Sequence, residues 1–286
     1  MEKKLRIAIQ SKGRLSEKSL GIIEQCGINF GNDPRVLKEV AYNFPLEFLF
    51  VRDDDIPGYV KAGIADIGIV GRNEFDEKQI ALDVIRDLGF AKCRLSVAVP
   101  NSFNYTGLKD LDGLRIATSY PNILDGVLKK NGVSASYVNV SGSVEVTPAI
   151  GVADAICDLV STGTTLKMNG LKEVEEIYQS SAIMVMNPDI EPERKSILDK
   201  LLLRIDSVIR AKNYKYVMFN LPEEHIKEAA AIVGGMKSPT VTKLFESDWV
   251  SVQTVVAEDK FWSVFDKLIE LGAEGILVTR IEKMTE

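Results

Sequence analysis

The run Asp154-Ala-Ile-Cys-Asp-Leu-Val-Ser-Thr-Gly-Thr-Thr-Leu166 combines groups suited to holding a phosphorylated sugar. An apolar strand carries Asp154 near its start and Asp158 near its middle, and it ends in a small, hydroxyl-rich turn, Ser161-Thr162-Gly163-Thr164-Thr165. Small residues let backbone N–H groups approach a phosphate, and the hydroxyls add donors. A helix beginning at Leu166 would turn the positive end of its dipole toward the same anion. Carboxylates beside such a turn suit ribose hydroxyls, or a Mg²⁺ carried by the substrate. A strand followed by an ordinary polar turn satisfies the same composition, so the residues alone leave both readings open.

Lys12-Gly13-Arg14 sets two cations around a glycine, which fits either a polyphosphate or a solvated turn. Arg52-Asp53-Asp54-Asp55-Ile56-Pro57 offers three consecutive acids. They could bind Mg²⁺, or cap a helix that follows, since Asp is favoured at N-caps and Pro in the first turn. Arg72, Arg94 and Arg115 could add positive potential to a cleft. Tyr120-Pro121 could offer a flat apolar face to a purine, or pack at the base of a loop. Gly68-Ile-Val-Gly71 lacks the full dinucleotide fingerprint, and the chain has no Walker A motif, which sets aside nicotinamide redox chemistry and P-loop hydrolysis. His225 is the single histidine, in a polar helical stretch, so a histidine-based nucleophilic mechanism is not expected. Cys26, Cys93 and Cys157 are far apart and without CxxC spacing; buried thiols are expected rather than disulfides or a zinc site.

The elements that must position these residues repeat. Leu5-Arg-Ile-Ala8 opens a strand that runs into Gln10–Arg14 and a helix over 16–25. Leu114-Arg-Ile-Ala117 does the same before Ser119–Asn122 and a helix over 123–130. Gly63-Ile-Ala-Asp66 is echoed by Gly151-Val-Ala-Asp154, each ahead of a short buried-strand run. Two similar α/β units follow, with mostly parallel sheets whose ligands sit beyond the carboxyl ends of the strands. The chain is expected to cross between them near 93–99 and to return near 183–185. Residues 194–210 have helical spacing. The remainder reads strand 215–220, helix 223–233, strand 240–245, strand 249–257, helix 260–271, strand 275–281. That βαββαβ order is ferredoxin-like.

With 286 residues, 45% hydrophobic and 27% charged, the chain is long enough for two or three ordinary globular domains. A net charge of −6 argues against nucleic acid as a partner. No apolar run is long enough for a membrane span, and no signal-peptide pattern is visible at the start, so a cytoplasmic protein without membrane partners is expected.

Taken together the residues resemble one family, the long form of ATP phosphoribosyltransferase. The spacing Glu145, five residues, Gly151, then Ala153, Ile156, Asp158, Leu159, Thr162-Gly163, Thr165 and Leu166 is similar to that family's signature. Lys12–Leu15, Arg52–Pro57, Cys93–Ser96, Arg115–Pro121, Gly142–Val146 and the terminal Ile276–Val278 and Ile281–Met284 support it, so the resemblance covers nearly the whole chain.

The resemblance implies a two-lobed, periplasmic-binding-protein-like catalytic region. Lobe I would be 1–94 with 182–211 and lobe II 95–181, followed by an ACT-like regulatory domain over 212–286. It implies transfer of phosphoribosyl from phosphoribosyl pyrophosphate to N1 of ATP, with Mg²⁺ held mainly by substrate phosphates. This is the committed step of histidine biosynthesis, inhibited by histidine. The phosphoribosyl site would be Asp154, Asp158 and Ser161–Thr165. Glu145 would serve ribose hydroxyls or Mg²⁺, and Lys12, Arg14 and Arg52 would meet pyrophosphate or triphosphate. Gly71, Arg94, Tyr120 and Pro121 would complete the ATP site. Histidine would sit against Asn220, Ser238, Thr240 and Val255, although the family often carries an acid where this chain has Asn220. A dimer or hexamer is implied, with no separate regulatory subunit.

Overall fold

The computed structural model describes residues 3–31, 36–234 and 237–285. Its described residues divide into two compact units, one running to Gly21 and from Ile28 to Ile197, the other comprising Ile22–Gly27 and the chain from Leu198 onward.

The first unit contains two sheets. One has six strands in the spatial order Lys38–Val40, Leu46–Val51, Leu5–Gln10, Ile67–Gly71, Ala182–Met186, Asp83–Asp87. The other has five, in the order Leu171–Ser180, Cys93–Pro100, Ala155–Val160, Arg115–Thr118, Ser136–Asn139. The suspected repeat is real at the level of topology. Each LRIA strand pairs in parallel with both neighbours, Leu46–Val51 and Ile67–Gly71 in one sheet, Ser136–Asn139 and Ala155–Val160 in the other. Beyond that parallel centre each sheet has one reversed strand, Ala182–Met186 or Cys93–Pro100, followed by an outer strand antiparallel to it and so parallel to the centre. The expectation of mostly parallel sheets is corrected by those flanking strands. Ala182–Met186 and Cys93–Pro100 run the other way because the chain crosses from one sheet to the other and comes back.

Both crossings fall just outside the strands expected to make them. Cys93–Pro100 and Ala182–Met186 each lie wholly within one sheet, and the passages are 88–92 and the bend at Ser181. The N–H of Leu88 donates to the carbonyl of Ala182, and that of Ala182 to the carbonyl of Phe90, so the two crossings are stitched together.

The central strands are apolar on both faces, as layered sheets require. Leu5, Ile7, Ile9, Ile67 and Ile69 are fully buried. Gly68 has a packing reason: a Cβ there would lie 2.6 Å from Ile56 Cγ2, on the helix Ile56–Lys61 that covers the strand.

In the second unit the βαββαβ order is present. A four-stranded antiparallel sheet runs Thr240–Lys243, Trp249–Ala257, Tyr214–Pro222, Glu274–Arg280. Phe219, Val252 and Leu221 pack against Ala229, Val233, Val264 and Leu268 of the helices Ile226–Val233 and Phe261–Glu270. The helix Pro192–Lys212 buries Leu198, Leu201, Leu202, Ile205 and Val208, the face expected from its spacing. All three cysteines are free, Cys26 and Cys157 buried and Cys93 half-buried. Burial pushes the Cys26 thiol up to about 11.

Candidate active site

The strand Ala155–Val160 ends in the hydroxyl-rich turn as expected, and the turn feeds a short helix, Thr164–Met168. Gly163 sits at φ 74°, a left-handed conformation that favours glycine. Ser161, Thr162, Thr164 and Thr165 are exposed, while Leu166 is buried against Val160, Ile156 and Leu171 and anchors the turn. Thr162 and Thr164 share a hydroxyl–hydroxyl bond of 3.1 Å. The first N–H groups of a helix have no intrahelical acceptor, so the turn presents donors to solvent.

Arg94 holds this loop instead of standing free for a ligand. Its Nε and Nη2 donate to the two oxygens of Glu173 at 2.5 and 2.7 Å, and its Nη1 donates to the Ser161 carbonyl at 3.2 Å. The loop borders two cavities, of about 620 and 280 Å³, which share Lys92, Cys93 and Ser161 as lining. Arg72, Arg94 and Thr162 line the larger. Arg14, Gly71 and Tyr120 line the smaller, together with Asp53, Glu74 and Leu159. Two of the strand-end segments expected to converge, Arg14 and Tyr120, therefore do meet beside the loop. Lys12 is exposed in the turn before the first helix and lines neither cavity.

The carboxylates separate into three environments. Asp158 is half-buried; desolvation raises its pKa above the ordinary range, the N–H of Leu159 opposes this, and the charge of Glu145 pushes it up further. Glu145, on a tight turn over Val144–Val146, is thus an electrostatic neighbour of Asp158. Asp154 has a different environment, at the opposite end of the strand from the turn. It lies before the first residue of the strand, and six residues at about 3.3 Å each put the two ends of the strand ~20 Å apart. Its carboxylate accepts from the backbone N–H, Nε and Nη2 of Arg115 at 3.0, 3.1 and 2.8 Å, and this pairing holds its pKa low. Arg115 is engaged by that carboxylate. The other half of the repeat has the same latch: Asp66 accepts from the N–H, Nε and Nη2 of Arg6 at 2.7, 3.3 and 2.9 Å.

Arg52 is exposed and turned onto Asp54, its Nε and Nη2 3.1 Å from the carboxylate. Asp53 accepts the N–H of Asp54, and Asp55, at the cap position of the helix Ile56–Lys61, makes no side-chain capping bond. Pro57 does lie in the first turn of that helix. No group of three or more His, Cys, Asp or Glu that could hold a metal occurs among the described residues.

Sequence reasoning missed the helix Arg72–Lys78, which joins the two sheets' lobes. Asn73 Nδ2 donates to Tyr120 Oη at 3.2 Å, and Tyr120 Oη donates to Glu74 Oε1 at 2.8 Å. Tyr178 donates to Asp76, and Ser180 Oγ donates to Asn73 Oδ1 at 2.7 Å. A Cβ at Gly71 would lie 2.5 Å from that Asn73 oxygen. Glu77 accepts the backbone N–H groups of Asn122 and Ile123 at 2.9 and 3.0 Å. Those are first-turn donors of the helix Pro121–Lys130, whose cap position is Tyr120 and makes no capping bond of its own. A tyrosine where Ser, Thr, Asp or Asn is favoured was the available signal that another residue must supply the cap. Tyr120 is therefore a bridge between lobes as well as a cavity wall, and Pro121 is a helix-start residue.

In the second unit, Ser238, Thr240 and Val255 line one cavity of about 540 Å³, with Tyr216, Lys237 and Gln253. Asn220 is not part of that lining; it pairs across the sheet with Ser251 and Glu274. His225 is in the same unit, its Nδ1 3.1 Å from Glu228 Oε2.

Comparison with known proteins shows the family. Residues 52–207 match the family described as ATP phosphoribosyltransferase, and residues 211–283 match its HisG, C-terminal domain. ATP phosphoribosyltransferase of Cytophaga hutchinsonii is 54% identical over 282 residues, covering 99% of each chain. That of Bacteroides fragilis is 51% identical over 280 residues, covering 98% of this chain and 99% of the relative. A solved structure, the ATP phosphoribosyl transferase (HisG:HisZ) complex from Thermotoga maritima, superposes with a TM-score of 0.59 at 30% identity. It covers 71% of this chain and 98% of its own. The chain belongs to the ATP phosphoribosyltransferase family, the transferases that carry out the first step of histidine biosynthesis.

Proposed function

We propose that the Ser161–Thr165 turn holds the phosphoribosyl phosphate and that the adenine of ATP enters the 280 Å³ cavity beside it. The observation that supports this most is the adjacency itself: a donor-rich turn pinned by Arg94, opening directly onto a cavity walled by Arg14, Gly71, Tyr120 and Leu159. N1 of the adenine attacks C1′ of the ribose while pyrophosphate leaves. Charge of oxocarbenium type develops on the sugar, next to the half-buried carboxylate of Asp158. Adenine N1 carries no proton, so the attack needs alignment and charge stabilisation rather than a histidine base. Lys12 and Arg14 are assigned to pyrophosphate or triphosphate oxygens; Arg52 could join them only by leaving Asp54.

Mg²⁺ would arrive on the substrate phosphates and neutralise the leaving group, with Asp158 and Glu145 as the carboxylates that fit its protein side. Catalysis is assigned to residues 1–94 and 182–211 together with 95–181, and regulation to 212–286. Histidine is proposed to bind the cavity of Ser238, Thr240 and Val255 as inhibitor, in a cytoplasmic homo-oligomer, dimer or hexamer, that needs no separate regulatory subunit. No helix among the described residues is long and apolar enough to cross a membrane.

The test is turnover with ATP, phosphoribosyl pyrophosphate and Mg²⁺, with pyrophosphatase present, with and without histidine. Product that histidine suppresses supports both assignments. Product indifferent to histidine removes the regulatory one, and transfer to free adenine in place of ATP would replace the acceptor.

A further inference from the structure

The smaller cavity contains a carboxylate that the reading above does not use. Glu74 lines it, and its Oε1 is fixed from two sides, by Tyr120 Oη at 2.8 Å and by Asn73 Nδ2 at 3.2 Å. Oε2 makes no hydrogen bond among the described residues, so one oxygen of an oriented carboxylate remains to serve a ligand. The cavity also holds Leu159 and Ser161, so whatever accepts the phosphoribosyl group from the Ser161–Thr165 turn passes within reach of Glu74.

We propose that Glu74 is a catalytic residue: its carboxylate accepts a hydrogen bond from the exocyclic 6-amino group of adenine and stabilises the positive charge the base acquires during transfer. The inference rests on the reading of this cavity as the adenine site. In the step, the N1 lone pair forms the bond to C1′ as the C1′–O bond to pyrophosphate breaks, and the electron pair of that bond leaves with pyrophosphate. One positive charge is left on the adenine, shared between N1 and the 6-amino nitrogen. An ionised carboxylate on the amino group favours the attack by raising electron density at N1, then pairs with the resulting cation. The proton stays on nitrogen or passes to the carboxylate as the ring is neutralised; atoms and charge balance either way.

The same contact would select the base. A purine with a 6-oxo group offers an acceptor where adenine offers a donor, and two facing acceptors repel across a desolvated site. The electrostatic setting works against ionisation, so the contact to adenine should weaken toward acid pH. Burial raises the Glu74 carboxyl above the ordinary range, the Tyr120 hydroxyl opposes this, and Asp53 and Asp54 of the neighbouring turn raise it while Lys78 on its own helix lowers it. Arg14 and Lys18 of the first helix and Lys92 and Cys93 of the crossing segment face the same cavity.

The experiment is a pair of measurements on Glu74→Gln, which keeps an acceptor for Tyr120, and on Glu74→Asp. First, binding of ATP and of inosine triphosphate, the 6-oxo analogue, is measured by calorimetry. Wild type should prefer ATP, and Glu74→Gln, whose amide can turn a donor to the 6-oxo group, should shift that ratio toward the inosine nucleotide by about tenfold or more. Second, kcat/KM for ATP should fall on the acid side in wild type and in Glu74→Asp. In Glu74→Gln that limb should shift, leaving only the part that Asp158 supplies, and kcat should drop by about 10²-fold. An unchanged ATP-to-inosine-triphosphate ratio, or an acid limb in Glu74→Gln identical to that of wild type, overturns the proposal. Arg14→Ala separates the two levels. If it weakens ATP while Glu74→Gln leaves the ratio alone, the cavity reading stands and the role of Glu74 falls. If neither variant alters ATP binding, the cavity reading itself fails.

Discussion

The two halves of the first unit share a scaffold and differ at one end of it. At the amino ends of Ile67–Gly71 and Ala155–Val160 both carry an Arg–Asp latch, Arg6 with Asp66 and Arg115 with Asp154, bonded through the same three donors. At the carboxyl ends they diverge. One strand passes through Gly71 straight into the helix Arg72–Lys78, whose polar side chains grip the other lobe. The other opens into Ser161–Thr165 and keeps its hydroxyls exposed. Repetition therefore marks what builds the sheets, and divergence marks what the sheets are used for.

The latches also differ in depth. Asp66 is 6% exposed and holds a second cation, Arg194, at 2.9 Å, whereas Asp154 is 38% exposed. Asp66→Ala should be the most damaging substitution, costing ~3 kcal/mol or more in thermal or chemical unfolding, because it strands Arg6 and Arg194 near a low-dielectric interior. The fraction that folds should turn over normally.

Asp158→Asn should do the reverse, cutting turnover by ~100-fold while the fold survives. Because desolvation raises the folded-state pKa of Asp158, its ionised form opposes folding at neutral pH. The variant should therefore unfold at the same temperature as wild type or higher, and a lower melting temperature would break the contrast between scaffold end and working end. Glu77→Ala, which uncaps the helix Pro121–Lys130 across the lobes, should cost ~1–2 kcal/mol and raise KM more than it lowers kcat. Thr162→Val should lower kcat/KM by ~10-fold without altering stability, removing one hydroxyl from the turn.

Asp154→Ala should be the mildest, within ~1 kcal/mol, since its ion pair is open to solvent. The Arg115 pairing depresses the folded-state pKa of Asp154, so its contribution is present above the ordinary value of 3.8 and disappears as pH falls through the lower folded one. Wild type and variant should converge in stability at strongly acid pH. Lost turnover in Asp154→Ala would return this residue to the site and undo the comparison.

Asp154 shows how a strand separates what the sequence groups. It stands four residues before Asp158 and looks like its partner, yet a strand carries its ends apart, so nearness in sequence becomes distance in space. The turn it was grouped with was legible because turn chemistry is local: Gly163 at positive φ, small hydroxyl residues around it, Leu166 anchoring the helix behind. Helix and strand positions were legible for the same reason, with the strand Trp249–Ala257 found to the residue and the helix Pro192–Lys212 missed by two residues at each end. Arg52 and Arg94 were illegible in a different way. Both read as free cations, and both are engaged, one by an acid two residues on, the other by Glu173 on a neighbouring strand.

The sequence by itself determined the repeated α/β pattern, the βαββαβ tail, the hydroxyl-rich turn and the membership of the family, because periodicity, turn residues and a spaced signature act over a few residues at a time. Only the tertiary structure decided which end of each strand faces the cavities, which arginines remain open to a ligand, and that Glu74 and Glu77 reach Tyr120 and Asn122 some 45 residues away. Those pairings depend on how two sheets are set against each other, and no local preference along the chain encodes the partner of a side chain across a crossing.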